Sequence, residues 1–96
     1  MRLVYSEEAV TDLVRLRAFI AKKDSLAAAR VAAELIARIE NLRLFPTMGR
    51  LVELAPDPKA VRDAIFRKDV IRYTIHTEAV VILRVWHHYE DRVQST

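Results

Sequence analysis

The sequence has no cysteine, which excludes a disulfide framework and thiolate metal sites and suits a reducing compartment. With a single glycine, it carries no Gly-rich phosphate loop, no G-x-S-x-G elbow and no Rossmann fingerprint. Long apolar runs are also missing, and the opening "MRLVYSEEA" lacks the apolar core of a signal peptide. No basic run exceeds two residues, so whole-chain electrostatics permit nucleic-acid binding without arguing for it. No repeat, low-complexity tract or linker interrupts the chain. The expectation is a cytoplasmic protein that needs no membrane.

What is present suits one compact domain spanning residues 1–96. The chain is 52% hydrophobic and 30% charged, a globular rather than disordered balance. Ninety-six residues support one core and not two. The net charge of +3 comes from 16 Lys and Arg against 13 Asp and Glu, and 12 of the 16 cations are Arg. Arginine is favoured where planar, bidentate contacts to carboxylate or phosphate are made; a high-GC genome is the plainer explanation.

The first half reads as helical. After a short strand, "RLVY" (2–5), Ser6 caps a helix whose first turn carries Glu7 and Glu8. Ala9, Leu13, Leu16 and Ile20 give it one apolar face. "KKDS" breaks the pattern, with Asp24 or Ser25 as the cap of a second helix over 26–45. Ala28, Ala32, Leu35, Ile39 and Leu42 form the stripe of that helix, and Pro46 stops it. The short break makes the pair an antiparallel helical hairpin.

In the second half the period changes to two. "VRDAIF" (61–66), "VIRYTIH" (70–76) and "VVILRVW" (80–86) are rich in β-branched and aromatic residues, with hairpin-length breaks between them. "LVELAPDPK" (51–59) suits a short edge strand followed by a loop. The fold class is α+β, with an N-terminal strand and a helical hairpin on one face of a small, mainly antiparallel twisted sheet.

Two helices cover only one sheet face, so alternation sorts the strand residues. Ile71, Tyr73 and Ile75 are expected inward, as are Val81, Leu83 and Val85. Arg72, Arg84, Trp86 and His88 then converge on the open face, joined by Arg62. Such a face suits phosphates and a stacked base, or it anchors a protein. The plain alternative is that Trp86 covers the sheet while the arginines pair with neighbours such as Asp63 and Glu78.

The stretch "WHHYEDR" (86–92) raises the same question. Adjacent His87 and His88 point to opposite faces of a strand, poor geometry for ligating one metal, and no metal or other cofactor is expected. His88 has a pKa useful for acid–base work, with Tyr89 beside it; a strand-end histidine is more often merely solvated or hydrogen-bonded.

Taken in order, these segments resemble the RelE/ParE superfamily of toxins of type II toxin–antitoxin systems, closer to its ParE branch. The resemblance rests on an "A..DL" start to the first helix, an "AA" opening to the second, "P..GR" after it, and "VR", "IRY" and "ILRVWH" in the strands. It extends over nearly the whole chain. It implies a cognate antitoxin that neutralises the toxin in a hetero-oligomer, a heterotetramer or larger, with operator DNA contacted only through the antitoxin. It also implies plasmid stabilisation or growth inhibition as the outcome. The antitoxin is expected to lay an amphipathic helix along the hairpin at Leu13, Arg17, Ile20, Leu35 and Ile39, and an extended segment near the sheet edge.

The superfamily includes gyrase inhibitors of the ParE type and ribosome-dependent mRNA endonucleases of the RelE and YoeB type. In the ribonucleases a catalytic arginine usually lies three residues before the tyrosine of a central strand; counted from Tyr73, that place holds Val70. A valine cannot stabilise a pentavalent phosphate. DNA gyrase is therefore the expected target, contacted through Arg72, Arg84, Trp86, His88 and Arg92, with Arg84→Ala expected to leave the fold intact. The alternative, ribosome-bound mRNA, would use Arg62, Arg84, His88 and Tyr89, the last two resembling a YoeB-type His-Tyr ending. A further alternative is a non-toxic member acting only in an autoregulatory complex.

Overall fold

The computed structural model describes residues 1–52 and 61–87. In chain order the elements are β1 (Arg2–Tyr5), α1 (Glu7–Lys23), α2 (Ser25–Asn41), β2 (Arg50–Leu51), β3 (Val61–Phe66), β4 (Asp69–His76) and β5 (Ala79–His87). The five strands form one sheet in the order β1-β5-β4-β3-β2. β1 runs parallel to β5, and every other neighbouring pair is antiparallel. This is the α+β arrangement that the sequence suggests, and among the described residues no helix is long and apolar enough to cross a membrane.

Local chemistry starts and stops the helices. The Ser6 side chain accepts from the Ala9 N–H, and Asp24 accepts from the N–H groups of Leu26 and Ala27, satisfying donors that a helix start leaves unpaired. The second helix ends at Asn41, four residues earlier than its apolar pattern suggests. Leu42, Arg43 and Leu44 bond back three residues to Ile39, Glu40 and Asn41, tightening the last turn ahead of Pro46. Leu42 nevertheless stays fully buried.

Two-residue loops join β3 to β4 and β4 to β5. The first residue of each, Arg67 at φ 58° and Thr77 at φ 52°, has a left-handed backbone. The core lies between the helices and one sheet face: Ala9, Leu16, Leu35, Ile39, Ala64, Ile71, Tyr73, Val80, Ile82 and Val85 are all buried there.

One inward set differs from the simple alternation. Arg72 pairs with Arg84, but Tyr73 pairs with Ile82, so Leu83 is an extra residue in β5. This β-bulge reverses the faces on its two sides. Val80, Ile82 and Val85 are therefore the buried residues, while Val81 and Leu83 are only partly covered. A continuous period of two cannot anticipate an inserted residue.

Candidate target-binding surface

Past the bulge, Arg84 and Trp86 do lie on the sheet face away from the helices. Cross-strand pairing sets Asp63, Arg72 and Arg84 in one row, and Ile65, Val70 and Trp86 in the next. Arg72 is held by Asp63 through two hydrogen bonds, Nε to Oδ1 at 2.9 Å and Nη2 to Oδ2 at 3.0 Å. The Arg72 guanidinium also lies 5.0 Å from the centre of the Trp86 ring, within cation–π range. Carboxylate and indole together fix its plane.

Arg84 is committed elsewhere. Its backbone belongs to the open face, but its side chain reaches around the strand edge to α1, where Nε and Nη2 bond Asp12 at 2.8 and 3.1 Å. The edge is accessible because β1 stops at Tyr5, opposite Ile82. Beyond that point α1 and its cap, Ser6, supply the partners that a strand would have given. Ser6 Oγ donates to the Leu83 carbonyl at 2.9 Å, and Asp12 Oδ2 accepts the Val85 N–H at 2.9 Å. Arg15 donates to Asp12 Oδ1 at 2.7 Å.

Asp12 is thus a carboxylate with a 2% exposed side chain and four donors. Burial alone pushes its carboxyl up, but the Arg84 hydrogen bonds, the Val85 N–H and Arg15 together outweigh burial and hold it below the usual carboxylate range. The Asp12 hydrogen bond is also the chief reason that the Arg84 pKa is raised above its ordinary value. The expectation that Arg84 is a free surface residue is corrected: it is a structural ion pair as well. Sequence reasoning passed over Asp12, although a carboxylate three residues after Ala9 in an inward row was the signal, and the "A..DL" motif contains it.

The other expected residues divide. Arg62 pairs with Tyr73 and so lies on the opposite face from Arg72. Its guanidinium donates to the Gly49 carbonyl at 2.9 Å and the Thr47 carbonyl at 3.3 Å. Arg62 is therefore not part of the Arg72–Trp86 group but pins the loop that follows α2. Tyr73 completes that anchor, its hydroxyl donating to the Pro46 carbonyl at 2.7 Å and accepting the Gly49 N–H at 2.9 Å. Burial pushes the Tyr73 phenol above its ordinary pKa, partly offset by the Gly49 N–H and the Arg62 charge. His87 turns toward the helices, its ring 6.2 Å from that of Phe19. His88, Tyr89 and Arg92 lie outside the described residues.

On the helical side, Leu13, Arg17 and Ile20 of α1 and Val31, Ala32 and Ile36 of α2 line an apolar groove of about 200 Å³. Leu35 forms part of its wall while being only 2% exposed, and Val14 stands at the rim, 67% exposed. Ile39 is completely buried, so it belongs to the core beneath the groove and not to its lining.

The model of the ParE toxin of the type II toxin–antitoxin system parDE matches residues 3–92. Among solved structures, the chromosomal ParDE toxin–antitoxin system from P. aeruginosa contains a chain similar to this one. The two share a TM-score of 0.78 at 14% identity, over 91% of this chain and 95% of that one. No curated protein matches the sequence.

Proposed function

This chain belongs to the ParE toxin family of type II toxin–antitoxin systems, and from that premise we propose that it arrests growth by acting on DNA gyrase through protein contact. The reading is carried by Val70. Where a ribonuclease of the superfamily would place its catalytic cation, Val70 sits between Ile65 and Trp86 in an apolar row. The neighbouring arginines, Arg72 and Arg84, are each held by a carboxylate through two hydrogen bonds. A guanidinium already neutralised by Asp is a poor electrophile for a phosphorane and a good fixed anchor for a protein.

The antitoxin contact follows from the other face. The groove between α1 and α2 is apolar and rimmed by Val14 and Arg17, the shape that takes the apolar side of an amphipathic helix. Leu13, Arg17, Ile20, Val14 and Ile36 are the residues it would meet.

The test is to induce the toxin alone in cells and follow message integrity and plasmid supercoiling over the same minutes. Lost supercoiling or gyrase-dependent DNA breaks with intact messages is the expected result. Early cleavage of translated messages, abolished by His88→Ala with Tyr89→Phe, would instead make the protein an mRNA endonuclease.

A further inference from the structure

The rows across the open sheet face alternate in character. One is apolar: Ile65 on β3, Val70 on β4 and Trp86 on β5. The next carries charge on four strands: Arg50 on β2, Asp63 on β3, Arg72 on β4 and Arg84 on β5. A third row, Val61, Thr74, Val81 and Val4, is again largely apolar. Adjacent rows are two residues apart along β3 and β4, about 7 Å, while in β5 the bulge at Leu83 puts three residues between Arg84 and Val81.

Ile65 is 56% exposed, a large apolar side chain at the rim of this face. Beside it a shallow depression is lined by Met48, Arg50, Asp63, Ala64 and Ile65, and Met48 is itself 57% exposed. The apolar ridge therefore continues from Trp86 through Val70 and Ile65 to Met48.

Charge decides what fits. Arg50, Arg72, Arg84 and Arg15 bring four positive charges to this face and its edge, while Asp63, Asp12 and Glu8 return three negative ones. One surplus charge is too little to track a phosphate backbone, whose binding scales with the number of phosphates neutralised. Guanidinium donors at fixed places still select carboxylates one by one. Arg84 keeps a half-exposed side chain even while bonded to Asp12, so donors remain for a second acceptor.

We infer that the ridge Met48–Ile65–Val70–Trp86, flanked by Arg50, Arg72 and Arg84, docks a segment of the target protein carrying an apolar strip with carboxylates one row away. Apolar and acidic residues at i and i+2 of a strand, or i and i+4 of a helix, have the matching separation of about 6–7 Å. Trp86 and the arginines are the anchor types that dominate protein contacts. The inference rests on the toxin reading above and names the surface and recognition chemistry that would serve it.

Ile65→Lys and Arg50→Glu test this, since both residues are exposed. Each variant is purified, checked for an unchanged thermal melt, and compared with the parent for growth arrest on graded induction and for inhibition of purified gyrase. The expected result is that both variants need at least tenfold more toxin for arrest. If Arg50→Glu loses activity but Ile65→Lys keeps or gains it, the face binds a polyanion and the inference falls. It falls too if both variants arrest growth like the parent, if the parent causes no arrest, or if the parent is a dimer that Ile65→Lys dissociates. Arrest that depends on the ridge with gyrase unaffected keeps the surface and removes gyrase as the target. Gyrase inhibition indifferent to both substitutions keeps gyrase and removes the surface.

Discussion

Asp12 of α1 and Arg84 of β5, 72 residues apart in the chain, are joined by two hydrogen bonds of 2.8 and 3.1 Å. The same carboxylate accepts the Val85 N–H. One side chain therefore docks the first helix onto the open edge of the last strand, next to the residues that form the candidate surface. This pair ties fold to function, because loosening it frees both the strand edge and the guanidinium.

Removing Asp12 should cost more than removing Arg84. Asp12→Ala leaves a buried N–H unpaired and takes the shared carboxylate from Arg84 and Arg15, so a loss of about 2–4 kcal/mol is expected. Arg84 is half exposed, and in Arg84→Ala the carboxylate keeps Arg15 and Val85, so a smaller loss of about 1 kcal/mol is expected. Urea denaturation of the two variants checks the order.

The Asp12 contribution should depend on pH. Its folded-state pKa is depressed, so the unfolded chain takes up the proton first, near the ordinary value of about 3.9. The stabilisation is then fully present above that value and is lost as pH falls through the lower folded-state pKa. Unfolding free energies of the parent and Asp12→Asn, measured from pH 7 to pH 2, should differ most at neutral pH and converge in acid.

Gly49 should not tolerate a side chain. A Cβ there would lie 2.7 Å from the Tyr73 hydroxyl oxygen, 2.8 Å from Tyr73 Cε1 and 3.0 Å from the Asp63 carbonyl. Gly49→Ala must therefore displace the Tyr73 ring or the loop, at a cost of about 1–3 kcal/mol. Tyr73→Phe, which only deletes two hydrogen bonds, should cost about 1–2 kcal/mol. Thermal melts compare them.

Thr77 is a β-branched residue at φ 52°, a backbone that Asn or Gly adopts with less strain. Thr77→Asn should raise stability by about 0.5–1 kcal/mol and leave growth arrest unchanged, as it lies in the β4–β5 turn. A higher melting temperature with equal toxicity is the expected outcome.

The groove and the core beneath it should separate cleanly. Val14→Asp places a charge at an exposed rim and should leave stability within about 0.5 kcal/mol, yet weaken capture of the cognate antitoxin at least tenfold, about 1.4 kcal/mol. Leu35→Ala, by contrast, should cost about 2–5 kcal/mol of fold stability. Co-production with antitoxin, followed by pull-down and melting of the recovered toxin, distinguishes the two.

The sequence by itself determined the elements. Ser6 and Asp24 mark the helix starts, Pro46 lies just past the α2 stop, and the change of period at Val61 separates helices from strands; capping, proline geometry and side-chain alternation all act within a few residues. It also determined the inward faces of α2 and β4 and the absence of a cation at Val70. Tertiary structure alone decided the rest. β1 pairs with β5 in parallel and ends at Tyr5, which leaves an edge that Ser6 and Asp12 must satisfy, and the bulge at Leu83 moves the buried set from Val81 and Leu83 to Val80 and Ile82. Arg62 and Arg72, each a lone cation in an alternating strand, parted to opposite faces because cross-strand register, set by segments far apart in the chain, fixes what each guanidinium can reach. Local rules choose helix or strand; only the pairing of distant segments chooses partners for a buried charge.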